Sequence, residues 1–87
     1  MDIEFDLEKD ALNLAKHGVS LARAEDFDIQ AVIEDPRHDE VRWRAYGVLD
    51  GSPHCLAFTR RGAALRAISL RRAHLKEFRR YVPTDEE

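Results

Sequence analysis

Three runs of alternating side chains, separated by two glycine turns, constrain this chain more than any other feature. Val41 to Val48 sets Val41, Trp43 and Ala45 against Arg42, Arg44 and Tyr46. His54 to Arg60 sets Leu56 and Phe58 against Cys55, Ala57 and Thr59, and Ala64 to Leu70 follows. A period of two is that of a strand with one face buried, whereas a helix repeats every 3.6 residues. Asp50-Gly51-Ser52 and Gly62 are the turns between the runs. Links this short join neighbouring strands antiparallel, because a parallel crossover needs a dozen residues or more. An antiparallel meander is therefore the predicted centre of the fold.

Helical signals flank it. Asp6 is an N-cap candidate for a helix over Leu7 to His17, with Leu7, Ala11, Leu14 and Ala15 near one face. Gly18 stops that helix, behind Lys16 and His17 in its last turn. Ser20 caps a second helix from Leu21 to about Phe27, which predicts a helical hairpin with its corner at Gly18. Met1 to Phe5 reads as a short strand or an extended arm. Ile29 to Ile33, ahead of Glu34-Asp35-Pro36, reads as a short strand or a helix tail. Leu75, Phe78 and Val82 mark a last helix, from Ala73 to about Val82, which Pro83 ends. The expected class is α+β: a small antiparallel sheet of about three or four strands with an N-terminal helical hairpin and a C-terminal helix. A chain of 87 residues has room for one hydrophobic centre, so residues 1–83 read as a single domain and 84–87 as a disordered acidic tail.

Several functions are disfavoured by what the chain lacks. No apolar run is long enough to cross a membrane, and the acidic N-terminus has neither the basic nor the apolar region of a signal peptide. With a single cysteine, Cys55, there is no internal disulfide, and the expected location is cytoplasmic. His17, His38, His54 and His74 are scattered, and the glycines sit at turns or element ends, so neither a metal nor a cofactor is expected. His54 and Cys55 are adjacent in a strand and point to opposite faces, which separates a Cys-His nucleophile pair.

Charge is distributed unevenly. Residues 1–43 hold five Lys or Arg against twelve Asp or Glu, and residues 44–87 hold nine against five. Eight of those nine are arginines, whose planar forks match phosphate or carboxylate. Leu65 to Arg72 alternates basic and apolar residues and so combines a core strand with guanidinium groups. Cleaving RNA through its own 2′-hydroxyl requires a base, cations for the phosphorane and an acid for the leaving oxygen. Arg42, Arg61, Arg66 and Arg71 are the candidate cations, with Glu40 or His17 as the base. In a regular strand Arg66 and Arg71 face opposite ways, so Arg71 is expected beyond the strand end. Residues alone leave the partner open: an arginine face binds RNA, DNA or an acidic protein more often than it catalyses. Trp43, on the side of Val41 and Ala45, is expected in the core rather than stacked on a base.

Phe5-Asp6 leading to Lys9, Asn13 and Lys16-His17-Gly18-Val19-Ser20, then Phe58-Thr59 with Arg61-Gly62, then Arg66-Ala67-Ile68-Ser69-Leu70-Arg71-Arg72-Ala73, resemble the BrnT toxins from about Ile3 to Tyr81. The resemblance implies a RelE-like fold and a ribonuclease that stops growth by cutting RNA without a metal. It also implies a cognate BrnA-like antitoxin, encoded beside the toxin, that binds operator DNA on behalf of the complex. The positions that match the family's motifs are Lys16, His17, Glu40 with Arg42, Arg61, Arg66, Ser69 and Arg71. On this reading Arg61, Arg66 and Arg71 stabilise the scissile phosphate, and Glu40 or His17 is base or acid. Lys16, Arg42, Arg72 and Ser69 hold RNA. The chain departs from the family's pattern at Arg60, where an acidic residue is usual, and at His74, where a small capping hydroxyl is commoner. A catalytically weak homologue that serves as an antitoxin-binding co-repressor module is the alternative.

Overall fold

The computed structural model describes residues 2–83, and the tail expected over 84–87 lies outside the described residues. The chain runs β1 (Ile3–Glu4), α1 (Leu7–His17), a 3-10 helix (Leu21–Asp26), β2 (Asp28–Asp35), β3 (Arg42–Leu49), β4 (Ser52–Arg61), β5 (Ala64–Arg72) and α2 (Leu75–Tyr81). All five strands form one sheet in the order β1-β5-β4-β3-β2.

The meander β3-β4-β5 is antiparallel, as its turns require. Two expectations need correcting. The sheet has five strands and is mixed, because β1 pairs parallel with β5 through Ile3 to Leu65 and Glu4 to Arg66. Two residues are too few to show a period, and β2 is an edge strand with most side chains exposed, so alternation is not imposed on it. The second arm of the expected hairpin is a six-residue 3-10 helix. Ser20 caps it, its side chain accepting from the Ala22 amide.

β5 carries a bulge. Ala57 opposes Ser69 while the next residue, Phe58, opposes Ala67, leaving Ile68 extra. Parity along β5 is reset there. Arg66, Ser69 and Arg71 consequently oppose Thr59, Ala57 and Cys55, three alternate residues of β4, so they share a face. The expectation that Arg66 and Arg71 diverge is corrected, and Arg71 lies within β5.

The opposite face is the core face. Ala45, Leu49, Leu56, Phe58, Ala67 and Leu70 pack there against Leu21, Ala24 and Phe27 from the 3-10 helix and its exit. Trp43 packs against this core and stacks on Phe58 at 5.8 Å. On the arginine face, α2 covers one end only, through Phe78 and Val82 against Tyr46, Cys55 and Ala73.

α1 is attached unusually. The stripe read from the sequence, Leu7, Ala11, Leu14 and Ala15, is not what it buries: Leu7 is 79% and Leu14 52% exposed, and Asn13 is the buried residue of the helix. Asn13 Nδ2 donates to the carbonyls of Leu70 and Val19, both at 2.8 Å, and the Leu70 amide donates back to Asn13 Oδ1 at 3.1 Å. Asp10 Oδ1 accepts from Ser20 Oγ at 2.9 Å and from the Leu21 amide at 2.7 Å. An open strand edge leaves backbone groups unpaired. β1 closes the first part of the β5 edge, and the Asn13 carboxamide closes it at Leu70. Asn13→Ala leaves both Leu70 groups unpaired in a buried place, which costs about 2 kcal/mol, or roughly 10 °C in Tm for a domain this size. Thermal unfolding of the variant beside wild type checks this.

Candidate functional site

The uncovered end of the arginine face is a cleft of about 200 Å³ at the foot of α2, with Arg37, His38, Arg42, Arg44, Ser69 and Arg71 in its lining. At Ile68 and Ser69 it meets a second, shallower hollow lined by Lys9, Lys16 and His17 of α1. The bulge in β5 therefore lies where the two join.

Most of the guanidinium groups already have acidic partners. Arg71 holds Glu77 of α2 in a fork, Nη1 to Oε1 at 3.1 Å and Nη2 to Oε2 at 2.9 Å. Tyr46 Oη donates to Glu77 Oε2 at 2.6 Å and accepts from Arg44 Nη1 at 2.8 Å. Arg44 also lies over the stacked rings of Tyr46 and Tyr81. Its buried Nε makes no hydrogen bond and sits 3.8 Å from Asp35 Oδ2. Asp35, buried at the end of β2, accepts from Arg37 Nε at 2.8 Å and Nη2 at 2.6 Å. His38 Nε2 is 3.6 Å from the same carboxylate, so Asp35 anchors the turn that brings both residues to the cleft. The hydrogen bonds from Arg37 hold the Asp35 carboxyl far below the usual range.

The expected site residues separate into groups. Arg42, Ser69 and Arg71 line the main cleft, and Lys16 and His17 line the hollow beside it, next to Ser69. Glu40 is an exposed residue of the β2–β3 connection at the lip, accepting from Arg42 at 3.3 Å. Arg66 shares the face but pairs with Glu4 of β1 at 3.1 Å. Arg61 is exposed beside the β4–β5 turn, where it opposes Ala64. Arg72 turns to the opposite face, into a polar hollow with Ser52 and His54 that His17 also borders.

His17 is half-buried. Desolvation, then the charges of Lys16 and Arg71, lower its pKa below the ordinary 6.5. The imidazole is thus neutral at neutral pH, the form that accepts a proton.

Arg44, Arg37, His38 and Asp35 line the cleft and Tyr46 and Glu77 tie its arginines from behind, but none of them was named as a site residue from the sequence. Arg44 had a signal, being two residues from Arg42 on one strand face. Glu77 had none, since it meets Arg71 only because the chain turns a corner at Ala73 and His74. Among the described residues, no group of three or more His, Cys, Asp or Glu is arranged to hold a metal ion.

Comparison with known proteins bears on this arrangement. The model of a family described as the BrnT ribonuclease toxin of type II toxin-antitoxin systems matches residues 5–77. This chain belongs to the BrnT family. The crystal structure of the Brucella abortus ribonuclease toxin BrnT superposes with a TM-score of 0.69 at 31% identity, covering 85% of this chain and 97% of that one. Among curated proteins no sequence matches. BrnT-family membership accords with the mixed five-stranded sheet and two α-helices.

The Arg71 fork and the Tyr46 hydroxyl hold Glu77 at about 2, below the ordinary 4.5. A lowered carboxylate pKa stabilises the fold above the unfolded value, and the contribution is lost as pH falls through the folded one. Glu77→Gln is therefore expected to be less stable than wild type at pH 7, with the gap narrowing by pH 3 and closing toward pH 2. Urea midpoints of both proteins across that range test it, and a gap constant with pH would show that Glu77 is not held this way.

Proposed function

We propose that this BrnT-family chain is the toxin of a type II toxin-antitoxin pair, an endoribonuclease that cuts RNA without a metal and so inhibits growth in the cytoplasm. Its partner is a cognate BrnA-like antitoxin encoded beside it, and operator DNA is met only through that antitoxin. The observation that carries the reading is a neutral imidazole, His17, sharing one open surface with Ser69 and the guanidinium groups of Arg42, Arg44 and Arg71.

In the proposed reaction His17 takes the proton of a ribose 2′-hydroxyl, whose oxygen bonds to the adjacent phosphorus. The P–O5′ bond breaks, leaving a 2′,3′-cyclic phosphate and a 5′-hydroxyl end. Fixed cations aimed at the phosphorane act where charge develops. Arg42 and Arg66 supply them by exchanging the exposed carboxylates Glu40 and Glu4 for phosphate. Arg71, tied to Glu77, contributes its field beside Ser69. His38, at the cleft, returns a proton to the leaving 5′-oxygen, and Lys16 and Arg61 hold flanking phosphates. Glu40 is the alternative base. Its exposed place at the lip, hydrogen-bonded to Arg42, favours it less than His17.

A second reading, a catalytically weak homologue that binds antitoxin as a co-repressor module, is favoured by the pairing of Arg42, Arg66 and Arg71 with carboxylates. Incubating antitoxin-free protein with total RNA in EDTA, with and without translating ribosomes, separates the two. The toxin reading expects cyclic-phosphate ends, a rate roughly 10²–10⁴-fold lower in His17→Ala, and a bell-shaped wild-type pH profile whose acid limb, set by His17, lies below the ordinary imidazole range. RNA left intact under both conditions would overturn it in favour of the binding module.

A further inference from the structure

The core face of the sheet is only half covered. The 3-10 helix, six residues long, packs over Leu49, Leu56 and Leu70. Toward the β4–β5 turn the 3-10 helix no longer covers the same face, and Val32 and Ile29 are exposed there beside the buried Phe58 and Leu65. A groove there is lined by Ile29 and Val32 of β2, Trp43 of β3, Phe58 of β4 and Leu65 of β5, with Arg60 at its rim. Ile29 and Leu65 also line a neighbouring groove bordered by Asp2, Glu4 and Glu25. The first groove is an apolar trough across the strands, the second a more polar hollow that adjoins it at Ile29 and Leu65, and Val32 within the trough is 50% exposed. Glu34 lies beside Trp43 in register on this face.

A sheet face normally buries its apolar side against a second layer, and a contiguous exposed apolar surface marks a docking site. The trough spans three inter-strand spacings, from β2 to β5, or roughly 14–15 Å. That is the length of about ten helical residues. An amphipathic helix laid in a groove through its apolar face is the matching occupant.

Charge decides whose helix it is. A second copy of this chain has its bare apolar stripe on α1, at Leu7, Ala11 and Leu14, and Glu8 and Asp10 flank that stripe on the two sides. Docking it would bring acid against Asp2, Glu25 and Glu34, with Arg60 of the rim set against these three carboxylates, so like charges oppose it on balance. A helix whose apolar stripe is flanked by Lys or Arg meets the carboxylate border favourably. We propose that this trough anchors the antitoxin through such a helical segment, on the face opposite the arginine cleft, so that antitoxin capture and RNA cleavage use different residues. The inference rests on the toxin-antitoxin reading above.

The test uses the full chain and the antitoxin encoded beside it. Val32→Glu adds an acid to the trough at an already exposed edge position. It is expected to cleave RNA at the wild-type rate, which also reports its folding, while binding antitoxin roughly tenfold or more weakly. Cells expressing the variant should then be poisoned despite the antitoxin. Leu14→Glu, on the bare stripe of α1, is expected to bind antitoxin as wild type does. Val32→Glu binding with wild-type affinity, or loss confined to Leu14→Glu, overturns the proposed dock. Failure of the wild-type chain itself to bind the antitoxin would instead overturn the partner reading on which it rests.

Discussion

A single carboxamide fixes the relation between the first helix and the sheet. Helices usually attach through an apolar stripe, a non-directional contact that tolerates sliding. α1 instead presents Asn13, which accepts from and donates to the two backbone groups of Leu70. Hydrogen bonds are directional, so this pair sets the height of the helix on β5 as well as its distance. His17 is one turn further along the same helix, and Ser69 adjoins Leu70, so the contact that closes the strand edge also brings the imidazole beside the bulge. The arrangement leaves the leucines of α1 in solvent, where a conventional helix would have buried them.

The bulge at Ile68 acts on the same strand in a complementary way. Without it, Arg66 and Arg71 would lie on opposite faces and no surface would carry both. With it, Arg66, Ser69 and Arg71 share the face of Arg42 and Arg44. An extra residue costs the ladder one regular pairing, and bulges are over-represented beside active sites because they re-aim side chains in this manner. The site is thus set by two local irregularities, a polar plug on an edge and an extra residue in the strand next to it.

What was legible in the sequence follows from range. The meander, the Asp6 and Ser20 caps and the Gly18 stop are written in neighbouring residues, through period and capping chemistry, and they are present. β1 joins the sheet through a parallel pairing with residues about sixty positions away, which has no local turn to announce it. Amphipathicity identified the α1 helix but does not tell which way it faces, because burial of a stripe is a tendency and here Asn13 outweighs it. The bulge has no compositional signature, so strand parity pointed Arg71 the wrong way. The departure expected at His74 does have a visible counterpart, since His74 occupies the N-cap of α2 without a side-chain capping bond. Arg42 and His17 were singled out from the residues, and Lys16 and Ser69 through the resemblance; the structure brings all four to the cleft and the hollow beside it. Glu77 was missed because its partner lies across a chain corner.

The acids beside the arginines change what the cleft can do. A row of bare guanidinium groups would bind any polyanion with an affinity that falls steeply with salt. Here Arg42, Arg66 and Arg71 face Glu40, Glu4 and Glu77. These pairs differ in how readily they exchange. Glu40 and Glu4 are substantially exposed, and exposed pairs are worth only about 0–1 kcal/mol, so a phosphate displaces them at little cost. The Arg71–Glu77 fork is more enclosed, and breaking it would also strip Tyr46 of its acceptor and loosen α2 from the sheet. Arg71 therefore serves chiefly to pin α2 while lending its charge to Ser69 and His17. On the proposed reading, phosphate binding falls to Arg42 and Arg66, whose carboxylate partners are the more exposed. On that reading a polyanion meets guanidinium groups that are mostly paired already, and a phosphate close enough to take the place of Glu40 or Glu4 frees Arg42 or Arg66 to bind it.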